Sequence, residues 1–330
     1  MRDELLYRMQ NEFPMSRRPF AEIASAIGSD EESVLEMVAE LKADGIIRQT
    51  SAIFDTRRLG YASSLVAFRV DEEDIPDAVD AINSHPGVSH NYERNHDFNI
   101  WFTLAVAPDS RLGLEGTIEK LAKMSKAKEY IALPTLKMFK ISVKLDTTGK
   151  RPKKEKVQRA RSRDIELGPR HYAVIRELQK DIAVVSEPFA ESVEKLSMDY
   201  DEFFSIAQEM KESGVMRRFA TILNHRKAGF TANAMSVWRV PEEKGEELGR
   251  KIAGFSAVSH CYLRPSYPNW PYNLFAMVHA KTQEGCDAII EEIAAETGLE
   301  DYAKLYSTRE FKKRRIVYFD PSFEEWEESV

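Results

Sequence analysis

Apolar positions recur along this chain with two periods, in alternating blocks. Phe20, Ile23, Ala24 and Ile27 follow helical spacing, Gly28 stops that helix, and Ser29 is placed to cap the next. Val34, Leu35, Val38 and Leu41 give the second helix one apolar face, and Gly45 ends it. A short extended run, IIRQTSAIFD, follows. Helices, turn and wing predict a winged helix-turn-helix over 1–60. Beyond it the period falls to two. ASSLVAFRV (62–70) reads as a strand and DIPDAVDAINSHPG (74–87) as a helix. VSHNYERNHDFNIWFTLAV (88–106) reads as a hairpin turning near Arg94 to Asp97. RLGLEGTIEKLAKM (111–124) is a helix and TLKMFKISVKLD (135–146) a last strand. The order βαββαβ predicts a ferredoxin-like domain over 61–148, with helices on one face of an antiparallel sheet.

The pattern then starts again. PFAE occurs at 19–22 and at 188–191, and at that shift Asp30 falls on Asp199, Lys42 on Lys211, Gly45 on Gly214, Arg48 on Arg217, Arg57 on Arg226 and Gly60 on Gly229. Further on, VSHNYER (88–94) meets VSHCYLR (258–264), and NHDFNIWFTLAV (95–106) meets NWPYNLFAMVHA (269–280). The inserted Pro265-Ser266-Tyr267-Pro268 accounts for the change of shift. A series of matches in one order means a duplicated unit. The expected fold class is therefore α+β: a tandem duplication, each unit a winged helix-turn-helix followed by a ferredoxin-like βαββαβ domain. The second winged helix is expected over 167–229, and the second ferredoxin-like domain, with a C-terminal tail, over 230–330. Between the units, residues 149–166 form a basic linker; Lys150 to Arg163 carries eight Lys or Arg and one Glu. With almost no apolar residue it reads as solvated, or as a cationic arm for an anionic ligand.

Charge changes what the helix-turn-helix can do. A helix reading the major groove meets a polyanion and needs Lys and Arg. Ser29 to Gly45 has six acidic residues and one Lys, and Met198 to Gly214 has five and one. Acidic residues suit helix starts, but they do not supply the missing cations, so both winged helices read as structural or protein-contact surfaces. A net charge of -7 points the same way, against a DNA partner. No apolar run approaches the ~20 residues that span a bilayer, and MRDELLYRMQNEF lacks a signal-peptide core. Cys261 and Cys286 make neither a disulfide framework nor a thiolate metal site. The expected location is cytoplasmic, with no membrane partner.

The unusual chemistry collects in the two hairpins. His90, Tyr92, Arg94, His96 and Trp101 lie in the first; His260, Tyr262, Arg264, Tyr267, Trp270 and Tyr272 lie in the second. The wings add Arg48, Arg57 and Arg58, then Arg217, Arg218, His225, Arg226 and Lys227. Alternation along a strand puts His90, Tyr92 and Arg94 on one face, and His260, Tyr262 and Arg264 on another. Such faces are poor core material. They suit a flat aromatic ligand bearing carboxylates, which rings stack against and Arg binds through paired hydrogen bonds. His85, His171 and His279 read as structural. HExxH, P-loop, GxGxxG and GxSxG motifs are absent from the sequence.

A winged helix joined to a ferredoxin-like domain resembles the Lrp/AsnC architecture. AIFDTRRLGY, GVSHNYERNHDFNIWFTL, RRFATILNHRKAGF and VSHCYLRPSYPNWPYNLFAMVHA resemble a divergent branch of it, the siroheme decarboxylases, over nearly the whole chain. The resemblance implies non-oxidative removal of two acetate carboxyl groups from siroheme. The product would be 12,18-didecarboxysiroheme, in d-type heme or alternative heme biosynthesis. No separate cofactor is implied, because iron is carried by the siroheme substrate. The two halves are expected to pair as a pseudo-heterodimer, with further homo-oligomerisation left open. The implied catalytic residues are His96, first choice as proton donor, then His260 and Tyr262, with Arg94 neutralising carboxylate. The implied substrate-binding residues are His90, Tyr92, Arg48, Arg57, Arg217, Arg218, Arg226, Arg264, Trp270 and Tyr272, and His225, also a candidate axial ligand to the substrate iron. The halves differ: His96 aligns with Trp270, Gln49 with Arg218 and Thr56 with His225. One site rather than two equivalent sites is expected. The rival readings are an Lrp/AsnC-type transcription regulator and a non-catalytic tetrapyrrole carrier.

Overall fold

The structure is a computed structural model that describes residues 1–11, 13–141, 165–223 and 232–330. His225, Arg226, Lys227, and the basic linker up to Arg163 lie outside the described residues. The chain divides into two compact units, and neither is one repeat. Like parts of the two repeats associate instead.

One unit holds Met1–Tyr61, the second repeat's helices and wing, and Val317–Asp320. Its first half consists of α1 (Arg2–Asn11), α2 (Pro19–Ile27), α3 (Glu31–Ala43) and the wing strand β1 (Ile47–Phe54). Pro19 sits at the start of α2, where its missing N–H costs nothing. Asp30, one residue beyond the expected Ser29, caps α3 by accepting the Ser33 N–H at 2.8 Å. The matching Asp199 caps the second-repeat helix through Glu202 N–H, so this repeated Asp is a cap and not part of a site. Buried Phe20, Ile23, Ala24, Val34, Val38 and Leu41 confirm the periodicity. The two wing strands pair antiparallel, with Thr50 and Thr221 hydroxyls 2.8 Å apart at the buried centre. The C-terminal segment adds Tyr318, whose ring packs on Phe54 and Tyr61 and whose hydroxyl meets Thr56 at 2.7 Å.

The other unit holds both ferredoxin-like domains. In the first repeat, β2 (Ala62–Arg69), α4 (Ile75–Ser84), β3 (Val88–Arg94), β4 (Ile100–Val106) and α5 (Gly113–Met124) match the expected order. The last strand does not. Two strands stand there, β5 (Glu129–Pro134) and β6 (Lys137–Ile141). β5 completes its own sheet beside β2, whereas β6 pairs with a strand of the second repeat. After α6 (Pro169–Leu178), α7 (Ala190–Lys195), α8 (Tyr200–Glu212) and β7 (Met216–Leu223) of the winged helix, the second repeat gives β8 (Ala232–Trp238), α9 (Gly245–Ala253), β9 (Val258–Leu263), β10 (Leu274–Ala280), α10 (Gln283–Thr297) and β11 (Tyr302–Lys313). β11 does in one long strand what β5 and β6 do in two: Tyr302 to Tyr306 pair with β8, and Ser307 to Lys313 with β3. The sheet order is β5-β2-β4-β3-β11-β8-β10-β9-β6. Its two end strands are consecutive in the chain, and each repeat sends a strand to the edge of the other repeat's sheet.

In this unit one apolar cluster lies under the helices of each repeat. Another joins the inner faces of the sheets through Ala67, Trp101, Ile131, Leu133, Met235, Val237, Trp270, Phe275 and Leu305. The exchange is tight: a Cβ on Gly249 of α9 would lie 2.3 Å from the Phe139 ring of β6. The expected C-terminal tail ends in a helix, α11 (Ser322–Ser329), whose Trp326 stacks edge-on to His85 at 4.4 Å.

Burial and then the Lys312 cation push the His85 pKa down to about 3, and Nδ1 accepts the Gly87 N–H. His85 is therefore neutral when folded, with an ordinary value of 6.5 when unfolded. Its stabilisation is complete above pH 6.5 and is lost as pH falls toward 3, because the unfolded chain then binds the extra proton. Urea unfolding at stepped pH should show a shallower acid limb in His85→Asn, by up to about 1.4 kcal/mol per pH unit. Identical slopes in the two proteins would refute a buried neutral His85.

Candidate functional site

Alternation along β3 and β9 carries the chemistry to the space between the sheets. Tyr92 stands opposite Trp101 and His90 opposite Thr103. Tyr262 stands opposite Phe275 and His260 opposite Met277. Trp101 and Phe275 belong to the inner cluster, so both His–Tyr pairs share its face. Their ring centroids lie 6.2 Å apart in the first pair and 6.1 Å in the second. Each His is held by the Ser before it: Ser89 Oγ lies 2.9 Å from His90 Nδ1, and Ser259 Oγ 2.7 Å from His260 Nδ1. All four rings are half-buried.

The arginines at the ends of these strands are placed differently from expectation. Arg94 is 5% exposed and Arg264 9%. Arg94 Nη1 donates to the Leu305 carbonyl at 2.8 Å, and Arg264 Nη1 donates to the Leu133 carbonyl. Each guanidinium also lies over the neighbouring Tyr, at 5.6 Å for Arg94 and 4.9 Å for Arg264. Leu133 and Leu305 precede the points where the last strands cross over. Both arginines thus tie one repeat's hairpin to the other repeat's crossing strand. Burial holds Arg94 down to about 10, the mark of a cation that is costly to bury.

The two faces are not alike at their outer edges. Glu310 stands opposite Tyr92 and Lys313 opposite His90, with 3.9 Å between their charged groups. In the second half the matching position is Met138, opposite Tyr262. With Thr103 facing His90 and Met277 facing His260, one wall is polar and charged and the other apolar. The sequence concealed this, since it depends on which strand each edge borrows.

His96 sits in the β3–β4 turn, half-buried, with its ring edge-to-face with Trp270 at 5.2 Å. Its Nδ1 accepts the Phe98 N–H at 3.0 Å, and burial lowers its pKa. A proton on Nδ1 would break that bond, so the geometry places the His96 proton on Nε2. Trp270 is fully buried against Trp101, Phe275 and Tyr272. It is core, and Tyr272 stands at its margin, half-buried. The Asn of NHDFNI and WPYNLF also has a structural role: Asn99 brackets Val70, and Asn273 brackets Val240, through both backbone groups.

The wing cations belong to the other unit. Asp55 accepts the Arg57 and Arg58 backbone N–H groups and pairs with Arg217 at 2.7 Å. Arg58 also donates to the Ser213 carbonyl at 2.9 Å. Arg48, Arg57 and Arg218 are exposed. Among the described residues, no group of three or more His, Cys, Asp or Glu could hold a metal ion. Cys261 and Cys286 are buried free thiols, and burial pushes the Cys261 thiol up, away from reactivity. Among the described residues no helix is long and apolar enough to cross a membrane.

Comparison with known proteins follows the same division. The AsnC-like ligand binding domain model matches residues 58–140 and 227–312, and the siroheme decarboxylase NirDL-like HTH domain model matches 3–48 and 172–217. A siroheme decarboxylase of Hydrogenobacter thermophilus is 43% identical, covering 98% of this chain and 96% of that one. A siroheme decarboxylase NirDL subunit of Paracoccus denitrificans is 32% identical, covering 94% of each. A crystal structure of siroheme decarboxylase NirDL in co-complex with an iron-uroporphyrin III analogue superposes with a TM-score of 0.80 at 38% identity, covering 99% of this chain and 97% of that one. Both domain types are matched in both repeats, and the relatives match end to end. The chain therefore belongs to the siroheme decarboxylase family, in its fused two-repeat form.

Proposed function

We propose that this chain is a carboxy-lyase that removes two acetate carboxyl groups from siroheme without oxidation. The end-to-end match to siroheme decarboxylases carries the reading. The paired His–Tyr faces supply chemistry that fits it. Loss of CO2 from a pyrrole acetate leaves an electron pair that the macrocycle accepts, and the remaining carbon then needs a proton. The macrocycle is its own electron sink, so no separate cofactor is required. Tyr262 offers a stacking face for a flat ring. Phe275, Met277 and Met138 desolvate a carboxylate brought against them, which raises its energy relative to neutral CO2. His260, with Nδ1 held by Ser259, presents Nε2 as general acid. The opposite wall, with Lys313 and His90, suits carboxylates that do not react.

Anaerobic incubation of the full chain with siroheme, followed by mass, tests this. Loss of two CO2 units is the expected result. Binding with unchanged mass would make the chain a tetrapyrrole carrier. Failure to bind, with salt-sensitive DNA binding instead, would make it a regulator.

A further inference from the structure

Ser259 touches more than His260. Its Oγ lies 2.7 Å from His260 Nδ1 and 2.7 Å from His279 Nε2, at a site where Ser259 is 4% exposed. A hydroxyl has one proton to give. If it donates to His279 Nε2, it accepts from His260 Nδ1, and the three groups form a directed chain. Among the described residues, no second imidazole meets the matching serine of the first half. Ser89 Oγ there meets Thr103 Oγ1 at 2.6 Å, a hydroxyl where the second half has an imidazole. His279 aligns with Ala105, so the second imidazole exists in one half only.

We propose that His279, acting through Ser259, holds His260 as the proton donor of the reaction. This rests on the decarboxylase reading. His279 is a positioning residue: its Nε2 accepts a hydrogen bond from the Ser259 hydroxyl, Ser259 Oγ accepts one from His260 Nδ1–H, and the imidazolium form of His260 is stabilised with its other proton on Nε2. In the step, the bond between the acetate CH2 and its carboxyl carbon breaks and CO2 leaves. The electron pair passes into the macrocycle and returns to the CH2 carbon to bond the Nε2 proton. His260 is left neutral and regains a proton from water once the product departs. The same arrangement explains why an imidazole lies beside a strand serine in the repeat whose wall is apolar, where a charged donor most needs support.

The test uses the full chain, single-turnover decarboxylation of siroheme, and binding of iron uroporphyrin. His279→Ala should slow turnover about tenfold or more with affinity for iron uroporphyrin unchanged. Ser259→Ala should do the same, and the double variant should be no slower than Ser259→Ala alone, because both break one chain. His279→Gln, which returns an acceptor near the Nε2 position, should recover most of the rate. Wild-type turnover in His279→Ala, additive losses in the double variant, or equal losses in Ala and Gln would each overturn the proposal. A wild-type chain that leaves siroheme unchanged would overturn the decarboxylase reading itself, a separate and recognisable outcome.

Discussion

His260→Ala is expected to lower the rate of CO2 loss by about a hundredfold or more, the scale of losing a positioned general acid, while His90→Ala costs less than about tenfold. The two histidines are sequence equivalents, each beside a Ser and 6.1 or 6.2 Å from a Tyr ring. What separates them is the wall. Around His90 stand Thr103, Glu310 and Lys313; around His260 and Tyr262 stand Met277 and Met138. A carboxylate among the first set keeps polar neighbours that stabilise it as an anion, and Glu310 repels it. Against the second set it loses solvation and gains nothing until CO2 has left. The rate should therefore follow His260. Single-turnover measurements on both variants, with iron uroporphyrin affinity as control, decide it. Equal losses would mean that both halves react, and with two acetates to remove, that each takes one.

Much of this could be read before the structure. Helical spacing found α2 and α3, alternation found both hairpins, and the internal repeat found the duplication. Alternation also placed His90 with Tyr92 and His260 with Tyr262. It failed wherever an answer depended on which strand lies alongside. The run from Glu129 to Ile141 has strand-like residues throughout, and its period is the same whether it stays in one sheet or crosses to the other. The crossing near Pro134, and with it the Glu310 and Met138 edges, was therefore invisible. His279 looked structural because its partner, Ser259, is on the neighbouring strand. His96 was expected as proton donor because it lay near a turn beside Arg94; its ring contact with Trp270, which comes from the other repeat, could not be read from the turn. Sequence shows that an Arg needs partners. It does not show whether those are a ligand's carboxylates or the chain's own carbonyls.

Arg94→Ala and Arg264→Ala should therefore act on stability before they act on binding. Each removal leaves a buried carbonyl, Leu305 or Leu133, without its donor, at about 1–3 kcal/mol, and takes a packed stem from beside a Tyr ring. A loss of about 2–4 kcal/mol per site is expected, read as a lower urea midpoint. Because Arg94 is already driven down to about 10 by burial, its charge is a cost that its bonds and packing offset. Arg94→Met, which keeps the stem and drops the charge, should recover part of the loss; a substrate-binding role would predict no recovery. Affinity for iron uroporphyrin, measured on the folded fraction at low temperature, should stay within about threefold of wild type, less than one charge-assisted hydrogen bond. A variant with wild-type stability and much weaker binding would return both arginines to the substrate and require the crossing strands to be held by something else. The reciprocal placement argues otherwise: each arginine reaches the strand that the other repeat sends across, so the pair fastens the exchange that creates the two walls.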